Sequence, residues 1–175
     1  MILLVYFLLL FLQPHAYAED FSMKLTSPAF KEGAAIPRQH TCQGRDTSPE
    51  LRWSDVPRNA ATVALIVDDP DAPGGTWVHW VLFNLPAVIE SLPGEIPGIK
   101  ALANGELQGK NDSNKIGYGG PCPPSGMHRY FFKLYALDVK LNLAAGATKQ
   151  ELEKAMQGHI LAQAQLMGTY QKTDS

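Results

Sequence analysis

The sequence predicts a mainly β protein, a β-sandwich with one short helix near its C-terminus. Three features of the 175 residues point there. Short runs rich in β-branched and aromatic residues recur along the chain. Loops rich in proline and glycine separate them, with no helices between, which argues against a βαβ sheet. The single clear helix signal comes late.

Taken in order, residues 23–26 alternate as a short strand, and residues 28–50 are loop, punctuated by Pro28, Gly33, Pro37, Gly44 and Pro49. Residues 51–53 form a brief strand. VALIV at 63–67 is an apolar run between turn signals, which predicts a buried strand. TWVHWVLFNL at 76–85 predicts another; strict alternation would set Trp77, His79 and Val81 on one face and Val78, Trp80 and Leu82 on the other. Residues 86–125 read mostly as loop, with Asn104-Gly105 as a hairpin-closing pair. HRYFFKLYAL at 128–137 is the third strong strand, with His128 and Tyr130 on one face and Arg129 and Phe131 on the other. Thr148 and Glu151 make a capping box for a helix that stops at Gly158. Alternation over residues 160–168 then predicts a closing strand.

Composition fits one globular domain: 45% of residues are hydrophobic and the formal net charge is -2. No basic run marks a nucleic-acid partner. Residues 1–18 stand apart as a secretory signal peptide. An apolar block at 2–12 is followed by Gln-Pro-His and by Ala16-Tyr17-Ala18, a small-residue cleavage pattern, although no basic residue precedes the block. An uncleaved anchor is the other reading of the same stretch. Cleavage before Glu19 leaves residues 19–175 as a single domain with no transmembrane span, and a periplasmic or secreted address is expected. In such a compartment Cys42 and Cys122 favour a disulfide; two buried reduced thiols are the alternative.

Polar groups collect beside the strands at three places. DDPDAPGG at 68–75 puts Asp68, Asp69 and Asp71 within four positions. Asp and Pro are ordinary turn residues, yet a turn does not need three carboxylates that repel one another. His79 sits inside an apolar strand, where a satisfied core histidine is the commoner case. GYGGPCPPSGMHRY at 117–130 runs a rigid loop into His128 and Tyr130. Together these would build a concave polar site. A His–Asp pair can hold a charge-assisted donor toward an anion, and glycine amides in the loop can form an anion nest. A metal site has no sequence-local support such as HExxH, so no metal or cofactor is expected. Ser125 lies outside a GxSxG elbow, so no catalytic residue is assigned and an enzyme is not expected. The Asn-Asp-Ser triplet at 111–113 matches a glycosylation sequon, a pattern common by chance.

The DDPDAP stretch at 68–73, the W-x-H of 77–79 and GYGGPCPPSGMHRYFFKLYALD at 117–138 resemble the phosphatidylethanolamine-binding protein family, most closely its bacterial, Raf-kinase-inhibitor-like branch. HTCQGRDTSPELRWSDVP at 40–57 and the capped helix agree, and the likeness spans residues 21–170. It implies the family's β-sandwich with a small anion pocket at one end. By motif, Asp69 and Asp71 would be pocket carboxylates, His79 the histidine of the next strand, Gly120 and Pro121 one wall, and His128 and Tyr130 the remaining ligand-binding residues. Arg129, by its face, would be structural. The cysteine positions imply contact between the loops at 40–44 and 120–123. Family eukaryotes carry a C-terminal helix over the pocket, whereas this sequence closes on a strand and polar tail. The function implied is binding of a small anion, phosphate or a phosphoryl headgroup, with a protein partner also expected. Inhibition of a kinase or serine protease by protein contact is the alternative, and a homodimer is an expected assembly.

Overall fold

The computed structural model describes residues 22–173; the stretch at 1–18, expected to be a signal peptide, lies outside them. The strands are β1 (Lys24–Thr26), β2 (Leu51–Ser54), β3 (Thr62–Asp69), β4 (Trp77–Pro86), β5 (Ser91–Leu92), β6 (Leu107–Gln108), β7 (Met127–Leu137) and β8 (Ile160–Gln171). The helix α1 (Lys149–Met156) precedes β8. Among the described residues no helix is long and apolar enough to cross a membrane.

A three-stranded sheet, β1-β2-β5, faces a five-stranded sheet ordered β6-β4-β3-β7-β8, and every named strand pair is antiparallel. The main core fills the space between them. Leu25, Leu51, Trp53 and Leu92 come from the small sheet, while Val63, Leu65, Val67, Trp80, Phe132 and Leu134 come from the large one. A second cluster covers the outer face of the large sheet, where Leu152 and Met156 of α1 pack with Ala64, Ile66, Val81 and Phe83. β3 lies at the centre and is covered on both faces, so all eight of its residues are buried. That double burial is why VALIV reads as a continuous apolar run.

The capping box forms as predicted. Glu151 N–H donates to Thr148 Oγ1 at 3.3 Å, and Thr148 N–H donates to Glu151 Oε2 at 2.8 Å. Gly158, at φ +79°, ends the helical turn and starts the chain back into β8. The 86–125 region departs from the expected loop by carrying β5 and β6. Each has only two residues, too few for any periodicity to show. Between them, Gly105 at φ +90° turns the chain so that Ala101 bridges Leu107.

β4 departs from strict alternation. Val67 pairs with Trp80 but Asp68 pairs with Val78, so His79 is an extra residue opposite one step of β3. A second shift lies between Val63 and Leu65, where Asn84 adopts φ +60°. Val78 therefore shares the outer cluster with Val81 and Phe83, not the inner face with Trp80 and Leu82. These are β-bulges, which bend a strand and re-aim side chains.

Candidate functional site

The site forms at the end of the large sheet where β3 leaves, β4 enters and β7 begins. Asp69 pairs with Trp77, and Asp68 with Phe131, so the β3 exit lies beside His128 and Tyr130. The loop before β7 folds back over this end and is pinned to β4. Gly119 N–H donates to His79 O at 2.9 Å, and Asp112 N–H to Val78 O at 3.0 Å. Asp112 Oδ2 accepts from Val78 N–H at 2.7 Å. The same loop is fastened to the 40–47 segment by a disulfide between Cys42 and Cys122, with Cα atoms 5.4 Å apart. Cys42 N–H donates to Pro121 O at 3.1 Å, and Tyr118 Oη donates to His40 O at 2.8 Å. Of the two readings open for the cysteines, the bonded pair is the one present, and it joins the two loops expected to meet.

The bulge sets His79 facing Tyr130, with the two rings edge to face at 5.2 Å. Its Nδ1 lies 2.6 Å from Gly119 O. A carbonyl only accepts, so Nδ1 carries the proton. Burial pushes this histidine below its ordinary range, against the Gly119 carbonyl and the charges of Asp69, Asp46 and Asp68. The resting ring is therefore neutral, with Nε2 left as an acceptor. His128 is also anchored through Nδ1, which is 2.8 Å from Asp69 Oδ2, both side chains being buried. Asp69 Oδ1 accepts Asp71 N–H at 2.8 Å, which fixes the carboxylate.

The three neighbouring carboxylates go three ways. Asp68 is completely buried and is held by Lys133 and Lys149, with Lys133 Nζ 2.8 Å from Oδ1 and Lys149 Nζ 2.5 Å from Oδ2. Asp69 turns to His128. Asp71 accepts from Arg129 three times, from the backbone N–H at 3.0 Å, Nε at 2.9 Å and an Nη at 2.7 Å. The guanidinium hydrogen bond holds Asp71 down to about 2. The expected mutual repulsion is absent because each carboxylate has its own cation or His partner. Arg129 is not on the cavity wall and pairs with Asp71.

Asp69, His79, Gly120 and His128 line one cavity of about 800 Å³, together with Trp77, Tyr118 and the disulfide. Asp71, Pro121 and Tyr130 are not on its wall. Asp71 is taken up by Arg129. Pro121 is buried and serves through its carbonyl, and Tyr130 stands behind His79 with its Oη lacking a hydrogen-bond partner among the described residues. Burial and the Asp69 charge push the Tyr130 phenol far up, so it remains a hydroxyl.

The glycine nest is not open. Gly120 N–H donates to Asp46 Oδ1 at 2.6 Å, and Gly119 N–H is spent on His79. Gly120 is required by close approach, since a Cβ there would lie 2.8 Å from Thr41 Cα and run into His40 O. Asp46, Asp112 and Lys115 also line the cavity and were not singled out from sequence. Asp46 follows Cys42 by four residues, so the disulfide was the one signal that could have placed it there. Among the described residues no hydrogen bond joins Ser125 to His128, whose Nδ1 bonds Asp69 instead.

Comparison with known proteins agrees with this fold. Residues 26–171 match the phosphatidylethanolamine-binding protein family. A UPF0098 protein of Methanothermobacter thermautotrophicus is 49% identical over 150 residues, covering 86% of this chain and 99% of the relative. A UPF0098 protein of Chlamydia trachomatis is 48% identical over 155 residues, covering 86% and 99%. The crystal structure of a phosphatidylethanolamine-binding protein homologue from Chlamydia trachomatis superposes with TM-score 0.81 at 46% identity, over 87% of this chain and 99% of that one. That of E. coli YbcL, described as a member of the mammalian family, superposes with TM-score 0.80 at 34% identity over 87% and 99%. The chain belongs to the phosphatidylethanolamine-binding protein family.

Proposed function

We infer that this is an exported binding protein for a small oxyanion, phosphate or a phosphoryl headgroup, which it holds without turning it over. One observation carries the reading. Two buried histidines line a single cavity with Nδ1 of each already engaged, His79 on Gly119 O and His128 on Asp69. The Nε2 atoms are therefore open to a guest: a phosphoryl hydroxyl can donate to such a nitrogen, and Lys115 on the same wall can donate to the guest's oxygens. The wall is braced by a disulfide and prolines before a ligand arrives, which lowers the ordering cost of binding. Export rests on the signal-like stretch at 1–18, and the disulfide fits an oxidising compartment. Titration calorimetry with phosphate, phosphoethanolamine and phosphotyrosine tests the reading. Binding at mM concentrations or tighter, abolished by His128→Ala, is expected. Absence of binding by all three, or equal binding by the variant, would remove it.

A further inference from the structure

We propose that the open edge of β8 takes up an extended peptide segment as a sixth strand of the large sheet, a segment apolar at alternate positions and acidic at its ends. This surface lies on the side of the sandwich where β8 borders β1, and it shares no residue with the cavity described above.

β8 ends the order β6-β4-β3-β7-β8, so one of its edges has no strand beside it. Its C-terminal half shows which residues aim backbone groups outward. Met167 O accepts Gly33 N–H at 2.8 Å, Thr169 N–H donates to Ala34 O at 2.9 Å, and Thr169 O accepts Ile36 N–H at 2.8 Å. The register with β7 is unbroken from Ala162 to Gln171, and in an antiparallel ladder every second residue faces away from its partner strand. Gln163 and Gln165 therefore direct N–H and C=O outward, and no hydrogen bond among the described residues engages those groups. Sheet edges are ordinarily guarded by charge, proline or a bulge. The one register shift in β8 lies earlier, at Leu161, and residues 162–166 hold neither charge nor proline. Ile160 and Leu161 are exposed at the start of the same strand. The chain already pairs with this edge once, where Ala35 bridges Thr169 in parallel and Glu32 accepts Met167 N–H at 2.8 Å. That cover stops short of Gln165.

A groove of about 670 Å³ beside the edge says what kind of strand fits. Ala164 and Leu166 wall it from β8, Leu25 from β1 and Phe30 from the loop after β1. All four belong to the main core or pack against it, so the groove is an unfilled side of the sandwich. A strand added to β8 would aim every second side chain toward it. Side chains of valine size suit that space, whereas a second copy of β8 would offer it only the methyls of Ala162 and Ala164. A stable dimer also buries about 800 Å² per partner, far more than a five-residue edge covers. Charge sets the ends of the segment. Lys24 and Lys31 line the groove, and Lys31 has no ion partner among the described residues. The one carboxylate on the wall, Glu32, is spent on Met167 N–H.

The probe is a fluorescein-labelled peptide, Glu-Val-Thr-Val-Thr-Val-Glu, blocked at both ends. Its anisotropy is read against the protein and against Gln163→Pro, which removes an N–H that faces solvent and serves no ladder bond. Binding at mM concentrations or tighter is expected. Gln163→Pro, or N-methylation of the three central peptide residues, should weaken it at least about tenfold. Lysine at both peptide ends should weaken it severalfold at low salt, and added salt should close that gap. Bound peptide should also slow amide hydrogen exchange at Gln163 and Gln165. No binding by the probe, or equal binding after N-methylation, overturns the proposal. Equal binding by a peptide of the same composition without alternation overturns the role of the groove. Dimerisation of the peptide-free protein that is lost in Gln163→Pro gives the edge to a second copy and also overturns it. The exchange measurement needs no variant and decides the matter even if Gln163→Pro does not fold.

Discussion

Removing the Cys42–Cys122 bond should cost several kcal/mol, and the figure can be worked from its span. The two cysteines are 80 residues apart. Opening a loop of that size returns about 15 cal/mol/K of chain entropy to the unfolded state, or about 4.5 kcal/mol at 25 °C. The folded state loses little in exchange, because both cysteines are exposed and the loops stay joined by Cys42 N–H to Pro121 O and Tyr118 Oη to His40 O. A loss of about 2 to 4.5 kcal/mol is expected for Cys42→Ala/Cys122→Ala, with Tm falling by roughly 10 °C for a chain of this length. The assay is urea unfolding followed by tryptophan fluorescence, with and without reductant. Exposure lets a reductant reach the bond in the folded protein, so the reduced wild type and the double variant should coincide. The slope of ΔG against urea should rise, as the uncrosslinked chain exposes more surface on unfolding. A loss below about 1 kcal/mol with an unchanged slope would refute the entropic account.

Asp68 is buried between two lysines, so either Lys133→Met or Lys149→Met alone should be mild, while the double change leaves a buried charge bare and costs about 3 to 5 kcal/mol; a double-mutant cycle by chemical denaturation that came out additive would contradict the shared role. Asp71→Asn should lower stability at pH 7 by less than about 1 kcal/mol, the pair with Arg129 being partly exposed. Because the folded carboxyl is depressed, its contribution is present above the ordinary carboxylate range near 4 and fades as pH falls toward 2. Stability curves of wild type and variant should therefore converge at acid pH, and a constant offset would refute it. Gly120→Ala should weaken phosphate binding and destabilise the fold, since its Cβ would displace His40 or Asp46; calorimetry and thermal melting that leave both unchanged would show that the loop yields freely.

The sandwich and the late helix were legible because their signals are local. The capping box spans four residues, VALIV is one uninterrupted run, and His128 and Tyr130 keep their parity along a regular strand. The bulge at His79 was not legible, because its only mark is the pairing register with β3. Nor was the division of Asp68, Asp69 and Asp71. Their partners come from β7 and α1, 58 to 81 positions away, and sequence proximity suggested repulsion where distance in the chain supplies the counter-charges. The glycine amides looked open because nothing short-range reveals that Asp46 reaches Gly120. Residue type announced polar chemistry; which hydrogen bonds were already spent could be read only from the packed loops.

Strike His79 and Asn84 from β4, and what remains alternates perfectly. Val78, Val81 and Phe83 fall on the helix side, and Trp80, Leu82 and Leu85 on the sandwich side. The two supernumerary positions are also the strand's histidine and asparagine. One faces the cavity, and the other grips both Leu141 N–H and Leu141 O at 2.9 Å and 3.0 Å. Polar chemistry was thus added to this sheet rather than substituted into it. Shortening a core strand by one residue ordinarily throws its apolar side chains to the wrong face; here, losing either residue would keep the alternation and remove only the contacts that residue makes. The scaffold and its chemistry are separable one amino acid at a time.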